Sequence, residues 1–94
     1  MDPNFTWTTR AEKLRVIAYW WEKQDKKCCI CGQMMQPYGE MGYYRPNAAT
    51  VEHLIPRREN GPNTAGNVRL AHAKCNHEAG AAWEQKRQAA RRSP

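Results

Sequence analysis

Between residues 10 and 26 the apolar positions Leu14, Ile17, Ala18 and Trp21 follow the i, i+3, i+4, i+7 spacing of one helix face, with no Pro or Gly among them. Val16, Tyr19 and Trp20 widen that face, and the aromatics are expected to serve as core. Thr9 with Glu12 three residues later predicts a capping box that satisfies two free amides at the helix start. From Lys27 to about Asn47 the periodicity is lost, and Gly32, Pro37, Gly39, Gly42 and Pro46 break any long element. Tyr38, Tyr43 and Tyr44 are expected to cover a small core there, with stacking on a nucleic-acid base as the alternative. Residues 50–55 read as a strand that Pro56 ends. A loop through Asn60, Gly61, Pro62, Asn63 and Gly66 follows. Residues 68–70 then form a second short strand. Cys75 to about Arg91 predicts a last helix with Ala79, Trp83 and Ala90 on its buried side, in which Gly80 costs about 1 kcal/mol relative to Ala.

Ninety-four residues predict a single domain, spanning 1–94. The longest apolar run, residues 16–21, is far short of the roughly 20 residues of a bilayer crossing, so no membrane partner is expected. The N-terminal residues lack the pattern of a secretory signal, and a cytoplasmic chain is expected. A core this small commonly needs a metal or disulfides. Fifteen Lys and Arg against nine Asp and Glu give a formal charge of +6, which makes an acidic polymer a plausible partner. The excess is concentrated in residues 81–94, where Lys86, Arg87, Arg91 and Arg92 face one acid. Taken alone, these cations fit a solvated helix face equally well.

Cysteine spacing supplies the missing staple. Cys28 and Cys31 form a C-x-x-C pair, and His72 with Cys75 forms an H-x-x-C pair, with 40 residues between Cys31 and His72. Two such knuckles suit a tetrahedral structural Zn²⁺, each bringing two donors within reach of one ion. A disulfide framework is the competing reading, and it leaves the His in a Cys position unexplained. Cys29 is expected to pack. Four protein ligands leave no open position on such an ion, so any catalysis must sit elsewhere.

Between the knuckles lie Val51-Glu52-His53-Leu54-Ile55-Pro56-Arg57, then Gly66-Asn67-Val68-Arg69-Leu70, then Cys75-Asn76. Residues 28–80 resemble an HNH nuclease domain of the zinc-knuckled ββα-metal type. The intervals of 14 residues from His53 to Asn67 and nine from Asn67 to Asn76 fit that family. The resemblance implies a small zinc-stapled α+β domain: an N-terminal helical extension over 1–27, the HNH core over 28–80, and the basic end of a C-terminal helix over 81–94. It also implies an enzyme, a metal-dependent endonuclease hydrolysing DNA. In it His53 is the general base, Asn67 orients the loop or the imidazole, and Glu52 and Asn76 hold a catalytic Mg²⁺ or Mn²⁺. His77 is the alternative to Asn76 as ligand. Arg57 and Arg58 are candidates to clamp a phosphate, with the four C-terminal cations contacting the DNA backbone. Double-stranded DNA read with low sequence specificity is the expected partner, and a bacterial or phage cytoplasm the expected setting. Two departures from the family pattern stand out: His72 replaces a Cys, and Ala79 replaces a Lys that could contact phosphate. Glu52 and His53, adjacent on a strand, should point to opposite faces, so one phosphate can meet both only if the strand bends or substrate passes between them. The competing function is a non-catalytic zinc module that binds nucleic acid or protein.

Overall fold

A computed structural model describes residues 1–39 and 45–80. Its elements are α1 (Arg10–Lys23), β1 (Ala49–His53), β2 (Val68–His72) and a second helix, α2, covering 73–80 of the described residues. Two 3₁₀ turns, Arg57–Glu59 and Ala65–Asn67, shape the connection between the strands. None of the helices is long and apolar enough to cross a membrane among the described residues. Gly42, Tyr43, Tyr44, Trp83 and Ala90, together with Lys86, Arg87, Arg91 and Arg92, lie outside the described residues.

The capping box forms as the sequence predicts. Thr9 Oγ1 accepts from the Glu12 amide, and the Glu12 carboxylate accepts from the Thr9 amide. The helix stops at Lys23, short of residue 26, because Asp25 and Lys26 turn into positive φ (51° and 61°). The buried stripe also differs from the expected one. Val16 and Ile17 are buried and Trp20 and Trp21 pack partly against the core, whereas Leu14 is 39% exposed and Ala18 faces solvent. Polar groups on the same stripe set this rotation. Gln24 Nε2 donates to the Leu70 carbonyl at 2.8 Å and its Oε1 accepts from the Leu70 amide at 2.7 Å. Trp20 Nε1 donates to the Ala65 carbonyl at 2.9 Å. With residues 20 and 24 fixed against β2 and its entry turn, residues 16 and 17 follow them inward by the helical repeat.

β1 and β2 pair antiparallel in five matched positions, from Ala49 opposite His72 to His53 opposite Val68. β1 ends at His53 and not at residue 55. The amides of Leu54 and Ile55 donate to the main-chain and side-chain oxygens of Asn67, which draw the chain out of the ladder and leave both apolar side chains exposed. β2 extends to His72, two residues beyond the expected end, because Thr50 and Ala49 continue the ladder opposite it. α2 starts at residue 73 and not 75: the Ala73 and Lys74 amides donate to the carbonyls of Ala48 and Pro46, so two orphan donors of the first turn are satisfied there.

The N-terminal arm closes the other side of the interstrand loop. Trp7 donates its amide to the Asn63 carbonyl, and the Ala65 and Gly66 amides donate to the carbonyls of Phe5 and Pro3. Gly66 is required by that approach, since a Cβ there would stand 2.8 Å from the Pro3 Cβ. Trp7, Val16, Ala65 and Val68 fill the space beneath, and Leu70, Ile17, Met35 and Ala71 form the adjoining core.

The rotated helix makes a direct test. In zinc-loaded protein, Leu70→Ala should lower unfolding free energy by about 2–5 kcal/mol, as truncation of a buried leucine does. Leu14→Ala should stay within about 0.5 kcal/mol, as exposed substitutions do. Chemical denaturation followed by tryptophan fluorescence reads both, and a larger loss at position 14 would refute the register of α1.

Candidate functional site

The two knuckles converge. Cys28 and Cys31 come from the turn after α1, His72 is the last residue of β2, and Cys75 lies in the first turn of α2. One ligand atom from each lies within 4.8 Å of every other. Tetrahedral zinc with sulfur ligands near 2.3 Å spaces its sulfurs about 3.8 Å apart, so this donor set is able to hold a structural Zn²⁺. His72 Nδ1 sits 3.3 Å from Cys31 Sγ and 3.8 Å from Cys75 Sγ, while its Nε2 lies 2.8 Å from the Met34 carbonyl. A carbonyl only accepts, so Nε2 carries the proton and Nδ1 offers its lone pair to the cluster, the orienting arrangement usual for metal-bound histidine. Burial pushes the Cys28 thiol up, but hydrogen bonding from the Cys31, His72 and Ile30 amides outweighs it and brings the thiol down to about 6. Gly32, at φ +77°, turns the chain so that its amide reaches the Cys28 carbonyl. Cys29 is solvent-exposed and not a packing residue. Its amide donates to the Leu70 carbonyl, which turns the side chain's position outward from the core.

The second constellation gathers at the end of β1. A cleft of about 590 Å³ is lined by Glu52, His53, Arg57, Arg58 and Asn76, with Ala79 and Gly80 closing one side. Glu52 and His53 alternate on the strand, yet both border this space because the chain bends away at Leu54 and Ile55. Glu52 is half-buried, and its Oε2 is fully buried with no hydrogen-bond partner among the described residues. Burial holds its carboxyl above the usual carboxylate value. Asn76 Nδ2 donates to Thr50 Oγ1 at 3.1 Å and the Val51 carbonyl at 2.9 Å, so its Oδ1 is the end left for another partner. His77 is exposed and does not line the cleft. Arg58 has a partner of its own, and Arg57 lines both this cleft and its neighbour.

Asn67 orients the loop and not the imidazole. Its buried side chain accepts from the Ile55 amide and donates to the carbonyls of Ile55 and Pro62. The imidazole is held by Asn63, a residue the sequence reading placed only in a loop: its Oδ1 lies 2.9 Å from His53 Nε2. An amide oxygen only accepts, so Nε2 carries the proton and Nδ1 is the basic nitrogen. The available signal was the run of turn-forming residues around position 63, which says nothing about where an Asn side chain ends up.

Metal analysis should find about one zinc per chain, and a chelator should abolish the cooperative melt, since zinc binding at such sites is worth on the order of 10–16 kcal/mol. Cys29→Ser should keep the metal and Cys75→Ser should lose or strongly weaken it. Metal loss from Cys29→Ser would mean that a different thiol set is used.

No curated protein and no solved structure matches the chain. The HNH endonuclease family pattern matches residues 28–81, more than half of the 94 residues. That stretch begins at the first knuckle cysteine and takes in the second knuckle, both strands and the helix that carries Asn76, and on this ground the chain belongs to the HNH endonuclease family.

Proposed function

We propose that the protein is a metal-dependent endonuclease that hydrolyses DNA phosphodiester bonds, with duplex DNA read at low sequence specificity. The observation that carries this reading is the convergence of Glu52, His53, Asn76, Arg57 and Arg58 on one cleft. His53 Nδ1 takes the proton of the attacking water, and Asn63 stabilises the imidazolium that results through its bond to Nε2–H. Water oxygen bonds to phosphorus as the bond to the 3′ oxygen breaks. That oxygen takes a proton from solvent, leaving a 5′-phosphate and a 3′-hydroxyl. Arg57 and Arg58 supply positive charge at the mouth of the cleft for the phosphate oxygens. Asn67 keeps the loop that bears Arg57 and Arg58 folded back on the end of β1.

The donor set fits a hard divalent cation. The buried carboxylate oxygen of Glu52, without a hydrogen-bond partner among the described residues, and the Oδ1 of Asn76 are oxygen ligands of the kind Mg²⁺ and Mn²⁺ accept alongside waters and phosphate oxygens. When bound there, such an ion offsets negative charge developing on the phosphate and the leaving oxygen. Asn76 is favoured over His77 because it lines the cleft and its amide is already oriented.

Supercoiled plasmid mixed with zinc-loaded protein and Mg²⁺ or Mn²⁺ should be nicked, and His53→Ala should slow nicking by roughly 10²–10⁴-fold, the usual worth of a general base. Equal residual cleavage by both proteins would remove the catalytic reading and leave a zinc module that binds without cutting. A second check needs no catalysis. A raised carboxyl value in the fold means that ionising Glu52 opposes folding: the penalty is absent below about pH 4.5, its ordinary value, and grows as pH rises through the folded-state value. Glu52→Gln should therefore raise the melting temperature at pH 7 without added divalent ions, with the gain shrinking toward acid pH. Added Mn²⁺ should raise the melting temperature of the wild type and not of the variant.

A further inference from the structure

A second cleft, of about 610 Å³, adjoins the first and shares Val51, His53 and Arg57 with it. Trp7, Lys13, Tyr38, Arg45 and Asn63 complete the part of its wall that bears chemistry. Three cations line it and, among the described residues, no carboxylate does. Tyr38 and the two cations Lys13 and Arg45 are all half-buried, so they are held by their surroundings and are not loose surface side chains. Lys13 Nζ stands 5.7 Å from the centre of the Tyr38 ring. The Trp7 indole lies 6.1 Å from the His53 imidazole, centre to centre, at the junction of the two clefts. Asn63 spends its oxygen on His53, and its Nδ2 donates no hydrogen bond among the described residues.

Aromatic surface beside fixed positive charge matches the two halves of a nucleotide: a base offers a π face of any sequence, and its phosphate offers negative oxygens. A cleft of this volume falls in the range of enclosed small-ligand sites and has room for one such unit. Because it opens onto His53, a chain crossing from one cleft to the other would place the bond next to this nucleotide at the imidazole. A base inside a regular duplex is stacked on both sides and cannot enter, so the occupant must be unpaired or extruded.

We infer that this second cleft seats the base and phosphate of one unpaired nucleotide flanking the bond to be cut, so that DNA carrying a bulge or other local unpairing is the preferred substrate over perfect duplex. The inference takes its substrate class from the nuclease reading, but it is tested by binding alone. Tyr38 provides the stacking surface, Lys13, Arg45 and Arg57 hold the phosphate, and the Asn63 amide donates to the base edge. Occupancy would thereby also brace the residue that orients His53.

The test uses the full zinc-loaded chain in buffer without added Mg²⁺ or Mn²⁺ and two DNA duplexes of identical flanks, one fully paired and one with a single bulged 2-aminopurine. Wild type should bind the bulged duplex about tenfold more tightly and shift 2-aminopurine fluorescence on binding, on the scale of one base–aromatic contact. Tyr38→Ala should bring the two affinities together, Tyr38→Phe should keep them apart, and a Lys13→Gln/Arg45→Gln double variant, which keeps the Tyr38 ring and removes two of the three cations, should weaken the preference. Equal affinity of wild type for both duplexes, or a preference that survives both Tyr38→Ala and the double variant, overturns the inference. Since no cleavage is read, failure of plasmid nicking leaves this outcome unaffected, and a nuclease without bulge preference would sink the inference while sparing the proposed activity.

Discussion

A ladder of five residue pairs is too small to hold itself together in water, and the convergence of four donor atoms at its far end is what ties it to the rest of the chain. The cluster joins the turn after α1, the last residue of β2 and the first turn of α2, adding to the hydrogen bonds by which Gln24 and Cys29 already hold the Leu70 main chain. Fixing His72 and Cys75 three residues apart sets where the strand stops and the helix begins. That in turn sets where Asn76 stands relative to Thr50 and Val51, in the wall of the cleft. The cluster and the cleft therefore lie at opposite ends of the same short strands, one closed by protein ligands and the other open.

Much of this was legible in the sequence where the signal is a spacing. The two knuckles and the Thr9–Glu12 box depend on residue separations, and separations survive folding. What could not be read is what depends on a partner distant in the chain. The face of α1 is set by Gln24 clasping the main chain of Leu70, 46 residues away, and an apolar periodicity that includes Leu14 carries no trace of it. The end of β1 is set by Asn67 and not by the β propensity of Leu54 and Ile55. Asn63 was invisible for the same reason: a loop asparagine acquires its meaning only when an imidazole arrives 2.9 Å away.

The interstrand loop thus works through two asparagines with separate duties. Asn67 is buried and directs three hydrogen bonds to main-chain groups, which makes it a brace for the loop. Asn63 is held from behind by the N-terminal arm, through the Trp7 amide on its carbonyl, and presents its side chain forward to His53. The arm is therefore connected to the imidazole by two successive hydrogen bonds, which links the first residues of the chain to the geometry at the end of β1.

The clasp on Leu70 has a consequence beyond the rotation of a helix. A strand with an open side is a template on which another polypeptide can lay itself down and propagate a stack. On β2 three outward groups are already occupied: the Leu70 amide and carbonyl by Gln24 and Cys29, and the His72 amide by Cys28 Sγ. A foreign segment would have to displace a side-chain amide that mimics a peptide and a sulfur that belongs to the metal cluster. The same contacts that seat the helix thereby cover the middle and the far end of this edge against strand addition.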